Sequence, residues 1–133
     1  MKYGDYIPER GDIVWIDFDP LSGHEQKGKR PALILSPQKY NEKTSLCICL
    51  PITSKIKNYP FEVLLTDKLL VSGVVLSDQI KSLDFVARNV QFVCKAPKHI
   101  LEIAQKMQYC LSVNKVLNPI KLFYLITNPY DIS

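Results

Sequence analysis

Hydrophobic and polar residues alternate from Ile13 to Asp19, with Val14, Ile16 and Phe18 on one side and Ile13, Trp15, Asp17 and Asp19 on the other. A period of two predicts a strand with one buried face. Asp19-Pro20-Leu21-Ser22-Gly23 ends it with turn-forming residues. Pro31-Ala32-Leu33-Ile34-Leu35-Ser36 is a short unbroken apolar run and predicts a strand covered on both sides. A third run extends from Leu46 to Thr53. Pro51 within it predicts a sheet edge or a bulge, because proline has no N–H to give to a ladder. Phe61 to Leu65, Gly73 to Ser77 and Val90 to Val93 read as three further strands. Short, closely spaced strands with turn residues between them favour a small closed or half-open antiparallel barrel over a parallel α/β sheet.

The period then lengthens. Pro97 suits the first turn of a helix, and Ile100, Ala104, Met107 and Leu111 recur at helical spacing, flanked by Leu101 and Ile103. Glu102, Gln105, Lys106 and Gln108 face elsewhere. The spacing predicts one amphipathic helix over about 97–112 that covers the barrel or a partner. Residues 113–133 form a C-terminal extension of unknown role. Its apolar stretch Leu122-Phe123-Tyr124-Leu125-Ile126, bounded by Asn118-Pro119 and Asn128-Pro129, suits an added strand or short helix packed on the domain or across a dimer.

Composition narrows the class. A chain of 133 residues, 47% apolar and 23% charged, reads as one ordinary globular domain. No apolar run approaches the ~20 residues that cross a bilayer, and Met1-Lys2-Tyr3-Gly4-Asp5 does not lead into a secretory signal. A cytoplasmic location with no membrane contact is expected. Cys47 and Cys49 would share one face of a strand, while Cys94 and Cys110 stand alone. Reduced structural thiols fit that usage. Zinc would want close pairs around a turn, and Asp17 and Asp19 suit an outer strand position and a turn better than a metal pair. No metal or other cofactor is expected.

The net charge of +4 matters through its placement. Lys27, Lys29 and Arg30 face Glu25 alone between Gly23 and Arg30, and Lys55 and Lys57 lie between Thr53 and Tyr59 without a carboxylate. Lys81 and Arg88 follow. Two basic loops of this kind can draw in a polyanion by neutralising its phosphates.

One of those loops carries the strongest chemical signal. In Gly23-His24-Glu25-Gln26-Lys27-Gly28-Lys29-Arg30-Pro31 a carboxylate and a guanidinium stand five positions apart, with Gly23 and Gly28 permitting tight backbone angles. Pro31 biases Arg30 to an extended backbone, so its side chain should project from the start of the next strand. Taken alone, these residues read as a surface Glu–Arg pair bordering a hairpin. They also hold what phosphodiester chemistry asks for, a base for an attacking hydroxyl and a cation for the charged phosphorus centre.

Gly11 to Pro20 and Gly23 to Ala32, followed by Leu35-Ser36-Pro37, Tyr40-Asn41, Leu50-Pro51-Ile52-Thr53, Tyr59-Pro60-Phe61-Glu62-Val63 and Gly73 to Ser82, together resemble the MazF/PemK family of toxin endoribonucleases. The blocks run in order from about Tyr6 to Ser112, so residues 1–112 form the toxin-like domain. The resemblance implies a mainly β, SH3-like antiparallel barrel that forms a homodimer. It implies metal-independent, sequence-selective cleavage of single-stranded RNA to a 2′,3′-cyclic phosphate and a 5′-hydroxyl. It further implies a MazE-like antitoxin whose C-terminal segment fills the RNA groove.

Carried over by position, the resemblance makes Glu25 and Arg30 catalytic, with the Thr53 hydroxyl on the phosphate and His24 matching the PemK-like version of the loop. Gln79 falls on a position for RNA contact or dimer-groove support, while charge placement, not the resemblance, assigns Lys27, Lys29, Lys55, Lys57 and Lys81 to RNA contact. Leu76 stands where the PemK-like branch has an arginine that accompanies a catalytic aspartate, so the MazF-like Glu/Arg assignment is adopted over Asp78. Trp15 and Phe18 are assigned to the core, ahead of base stacking. Two other functions share parts of this pattern: a non-enzymatic gyrase inhibitor of the CcdB kind, and an inactive RNA- or antitoxin-binding module. The Glu25/Arg30 loop argues against the inhibitor, because a pure binder has no use for that pair.

Overall fold

The computed structural model describes residues 5–19, 28–65 and 69–112. In chain order they form β1 (Asp12–Asp17), β2 (Lys29–Ile34), α1 (Gln38–Thr44), β3 (Leu46–Thr53), β4 (Glu62–Leu64), β5 (Val74–Leu76), β6 (Lys81–Asp84), β7 (Gln91–Lys95) and α2 (Lys98–Ser112). The strands follow the order β4-β5-β3-β2-β1-β7, with β6 paired to β3 off that path. Every pairing is antiparallel. The mainly β architecture with a C-terminal helix agrees with the sequence pattern.

The apolar runs explain which strands lie innermost. In β2 the consecutive Ala32, Leu33 and Ile34 are all buried, because alternate side chains enter two different clusters. Leu33 joins Leu50, Ile52, Val63 and Val75 beneath α2, which adds Ile100, Ala104 and Met107. Ala32 and Ile34 join Val14, Ile16, Cys47, Cys49, Leu83 and Phe85 on the other face. Alternation predicts one buried face for β1, yet Ile13, Val14 and Ile16 are all inaccessible to solvent. The sheet wraps around the second cluster while α2 covers the first, so the start of β1 has no wet side. Among the described residues the barrel does not close, since the outermost strands β4 and β7 do not pair with each other.

Pro51 resolves its own puzzle. One edge of β3 pairs with β2, through Ala32 opposite Pro51 and Leu33 opposite Leu50. Its other edge pairs first with β6, from Leu46 to Cys49, and then with β5, at Ile52 and Thr53. Pro51 falls in the handover between those two partners, where a missing N–H breaks no ladder.

Two elements have no signature in the hydrophobic pattern. α1 lacks an apolar stripe; it is held by Asn41, fully buried, whose Nδ2 donates to the carbonyls of Pro8 (2.8 Å) and Ser36 (3.2 Å) while Oδ1 accepts from Ser36 Oγ. β6 carries a single buried apolar residue, Leu83, and owes its extended form to pairing with β3. The N-terminal segment is tied in by the buried Asp12 carboxylate, which accepts from Tyr6 Oη, the Glu9 N–H and Lys95 Nζ. Burial, followed by the Asp12 contact, pushes the Tyr6 pKa above its ordinary value. Cys47 and Cys49 are buried free thiols on one face of β3, and Cys94 is a half-buried free thiol. Among the described residues no helix is long and apolar enough to cross a membrane.

Candidate active site

Arg30 is the second residue of β2, ahead of the proline that favours its extended backbone. Thr53 is the last residue of β3. The β2–β3 ladder ends at Ala32 opposite Pro51, and Arg30 and Thr53 each stand two residues beyond that pair on their own strands. Side chains two apart on a strand share a face, so Arg30 follows the side of Ala32 and Thr53 the side of Pro51. Both line a cavity of about 640 Å³, together with Lys55, Lys57 and Gln79. The structure thus gathers five of the sequence-assigned residues around one opening.

Thr53 is held from two directions. Its Oγ1 accepts the Lys55 N–H at 3.2 Å, the local turn bond typical of a strand-end threonine, and still has its own hydrogen to donate to a ligand. Behind it, Gly73 lets β5 approach closely: its φ is +116°, and a Cβ there would lie 2.0 Å from the Thr53 carbonyl oxygen. The Arg30 side chain is exposed and has no hydrogen bond or ion pair to another described residue. An exposed guanidinium can offer a bidentate fork to an arriving phosphate.

Other assigned residues lie elsewhere. Strand alternation turns Lys29 away from Arg30, and its Nζ donates to Gln91 Oε1 at 3.3 Å. Lys81 sits in β6 opposite Cys49, outside the cavity lining. Glu25, His24 and Lys27, like the extension 113–133, fall outside the described residues. Gly28 is buried where the hairpin closes, with the Phe18 N–H donating to its carbonyl at 2.6 Å. A Cβ on Gly28 would lie 2.6 Å from the Asp19 carbonyl oxygen, and no positive φ accompanies it. Close approach, and not an unusual backbone angle, is what requires glycine at that position.

The cavity also contains residues that sequence reasoning places elsewhere or passes over. Trp15, expected in the core, is 37% exposed and lines the opening next to Arg30. It shares a face with Ile13, but that face is covered by α2 only at its beginning. Phe18 is half-buried against the second cluster, as expected of a core residue. Tyr59, 56% exposed, and Glu62 complete the wall, and Asp78 stands beside Gln79. For Glu62 the available signal is its position as the first carboxylate after the Lys55–Lys57 run.

Residues 9–109 match the family described as the PemK-like, MazF-like toxin of type II toxin–antitoxin systems. The chain belongs to this family. Within it, the sequence is 52% identical over 84 residues to the endoribonuclease toxin MazF of Escherichia coli (strain K12), spanning 63% of this chain and 75% of that protein. It is 36% identical over 97 residues to the Escherichia coli endoribonuclease PemK, spanning 70% and 73% respectively. The fold matches a crystal structure of the MazE–MazF complex from Deinococcus radiodurans with a TM-score of 0.75 and 46% identity, covering 81% of this chain and 97% of that one. Among MazF/PemK toxins, then, this chain presents an exposed arginine, a strand-end threonine and a lysine-bearing loop at one cavity.

Proposed function

We propose that this protein is the toxin of a toxin–antitoxin pair, an endoribonuclease that cuts single-stranded messenger RNA at selected sequences without a metal ion. The observation that carries this reading is the convergence of Arg30, Thr53, Lys55 and Lys57 on a single opening in a chain of the MazF/PemK family. Lys55 and Lys57 attract the phosphate backbone. Arg30 pairs with the oxygens of the scissile phosphate and binds the more highly charged phosphorane better than the ground-state diester. Thr53 adds a neutral donor to the same group.

The base is Glu25. Three peptide links separate it from Gly28, a reach of at most about 11 Å, so the chain itself keeps it near the strand that bears Arg30. As a carboxylate ionised at neutral pH, it takes the proton of the ribose 2′-hydroxyl. The 2′-oxygen attacks the adjacent phosphorus, the bond to the 5′-oxygen breaks, and a 2′,3′-cyclic phosphate and a 5′-hydroxyl result. The departing oxygen takes its proton from His24 or from water; Arg30 is too weak an acid to supply it. RNA lies in a groove across a homodimer, and the C-terminal segment of a MazE-like antitoxin occupies the same groove, in keeping with the MazE–MazF complex among the structural relatives. The protein acts in the cytoplasm.

Incubation of the purified protein with a mixed-sequence RNA in EDTA, followed by mapping of fragment ends, tests the reading. Cutting should persist with chelator and disappear in Arg30→Ala and Glu25→Ala. Loss of cutting in EDTA would remove the metal-free mechanism. An intact RNA that nevertheless binds would leave an inactive binding module.

A further inference from the structure

Glu62 is the first residue of β4 and pairs with Leu76 of β5, so its backbone is anchored in the sheet. Its side chain turns back on the loop that joins β3 to β4. The Lys57 N–H donates to both carboxylate oxygens, at 3.2 and 3.1 Å, and the Asn58 N–H donates to Oε1 at 2.9 Å. Asn58 has a φ of +61°, a left-handed conformation that a satisfied amide helps to hold. The Glu62 N–H closes the same turn by donating to the Tyr59 carbonyl at 3.1 Å. Lys55, Lys57 and Tyr59, all carried by this loop, line the cavity with Arg30 and Thr53.

A carboxylate in a cleft for a polyanion opposes binding by like-charge repulsion. Glu62 is therefore ill placed for raw affinity and well placed to hold a loop in one shape. We propose that Glu62 is a positioning residue that sets which RNA sequences are cut, by fixing the loop so that Lys57 and Tyr59 meet only certain arrangements of phosphate and base. The inference rests on the nuclease reading above. It adds a determinant of selectivity that never touches the reacting atoms.

The test uses the full chain as wild type, Glu62→Gln and Glu62→Ala, on one transcript with several competing cut sites, with kcat and KM measured at each. Gln removes the charge but keeps one oxygen able to accept the loop amides; Ala removes both. Discrimination between the preferred site and the next should fall about tenfold in Glu62→Ala, the order expected for losing hydrogen bonds to a charged acceptor. The loss should be smaller in Glu62→Gln and should reside in KM at the preferred site, with kcat there changed less than about twofold. Affinity for RNA lacking a preferred site should rise in both variants. An unchanged site ranking in Glu62→Ala, or equal losses in Gln and Ala, would overturn the proposal. If Glu62→Ala does not fold, Glu62→Asp, whose shorter arm cannot reach the two amides, must show the altered ranking, and a wild-type ranking there overturns it equally. Failure of the wild type to cut RNA would sink the nuclease reading and this inference with it. Variants that keep the wild-type ranking while the wild type cuts would sink this inference alone.

Discussion

Gly73 is buttressed against the Thr53 carbonyl in a conformation that L-residues rarely adopt. Gly73→Ala therefore faces both a steric conflict with backbone and an unfavourable φ, and should destabilise the fold by about 2–4 kcal/mol. Chemical denaturation measures this, and a cost under about 0.5 kcal/mol would show that β5 shifts without penalty. Thr53 should be displaced at the same time, so the surviving folded fraction should cut RNA more slowly than wild type. Arg30 is legible in the chain because Pro31 biases it to an extended backbone at a strand start. Thr53 is legible only through the family resemblance, its own residues reading as a strand-end threonine with a local turn bond. Trp15 is not. Its alternation with Val14 and Ile16 correctly puts it on the opposite face, but nothing local reveals that α2 leaves that face open at Trp15 while covering Ile13. Gly28 has the expected residue type for an unexpected reason, since its closeness to Asp19 is set by hairpin closure and not by the angles of one residue.

β2, β3 and α2 can be read directly because unbroken apolar runs and a 3.6-residue stripe are properties of the segment itself. α1 and β6 cannot. The helix depends on Asn41 reaching Pro8 across the fold, and the strand borrows its shape from Cys47 and Cys49 of β3. Both are tertiary effects imposed on locally indifferent sequence. The loop between β3 and β4 lies between these cases. Its lysines announce a polyanion partner, while the carboxylate that shapes it comes from the next strand. Replacing Lys55 and Lys57 together by Ala should flatten the dependence of RNA affinity on salt, by about 0.7 in log–log slope for each phosphate no longer neutralised. An unaltered slope would place both lysines outside the RNA path.

The described residues form an unclosed sheet with two apolar clusters, one that includes residues of α2 and one on the other face of β2, and the candidate site opens beside the first. The anchor at the other side of β1 gives a prediction for overall stability. Because burial and Asp12 raise the Tyr6 pKa above its ordinary value of 10.0, the unfolded chain loses the phenolic proton first. The stabilisation is fully present below about pH 10 and drains away as pH climbs toward the folded-state pKa. Thermal melts should show wild-type stability falling faster above about pH 10 than that of Tyr6→Phe, which should be the less stable protein at neutral pH. Parallel pH curves for the two would mean that Tyr6 has no such linkage. The handover at Pro51 has a consequence of another kind. One stretch of β3 grips β6 and the enclosed cluster, and the next stretch carries β5, β4 and the rim of the cavity. If the rim and its loop select RNA as proposed, natural variation there can change which sequences are cut and leave untouched the interior that makes the chain fold at all.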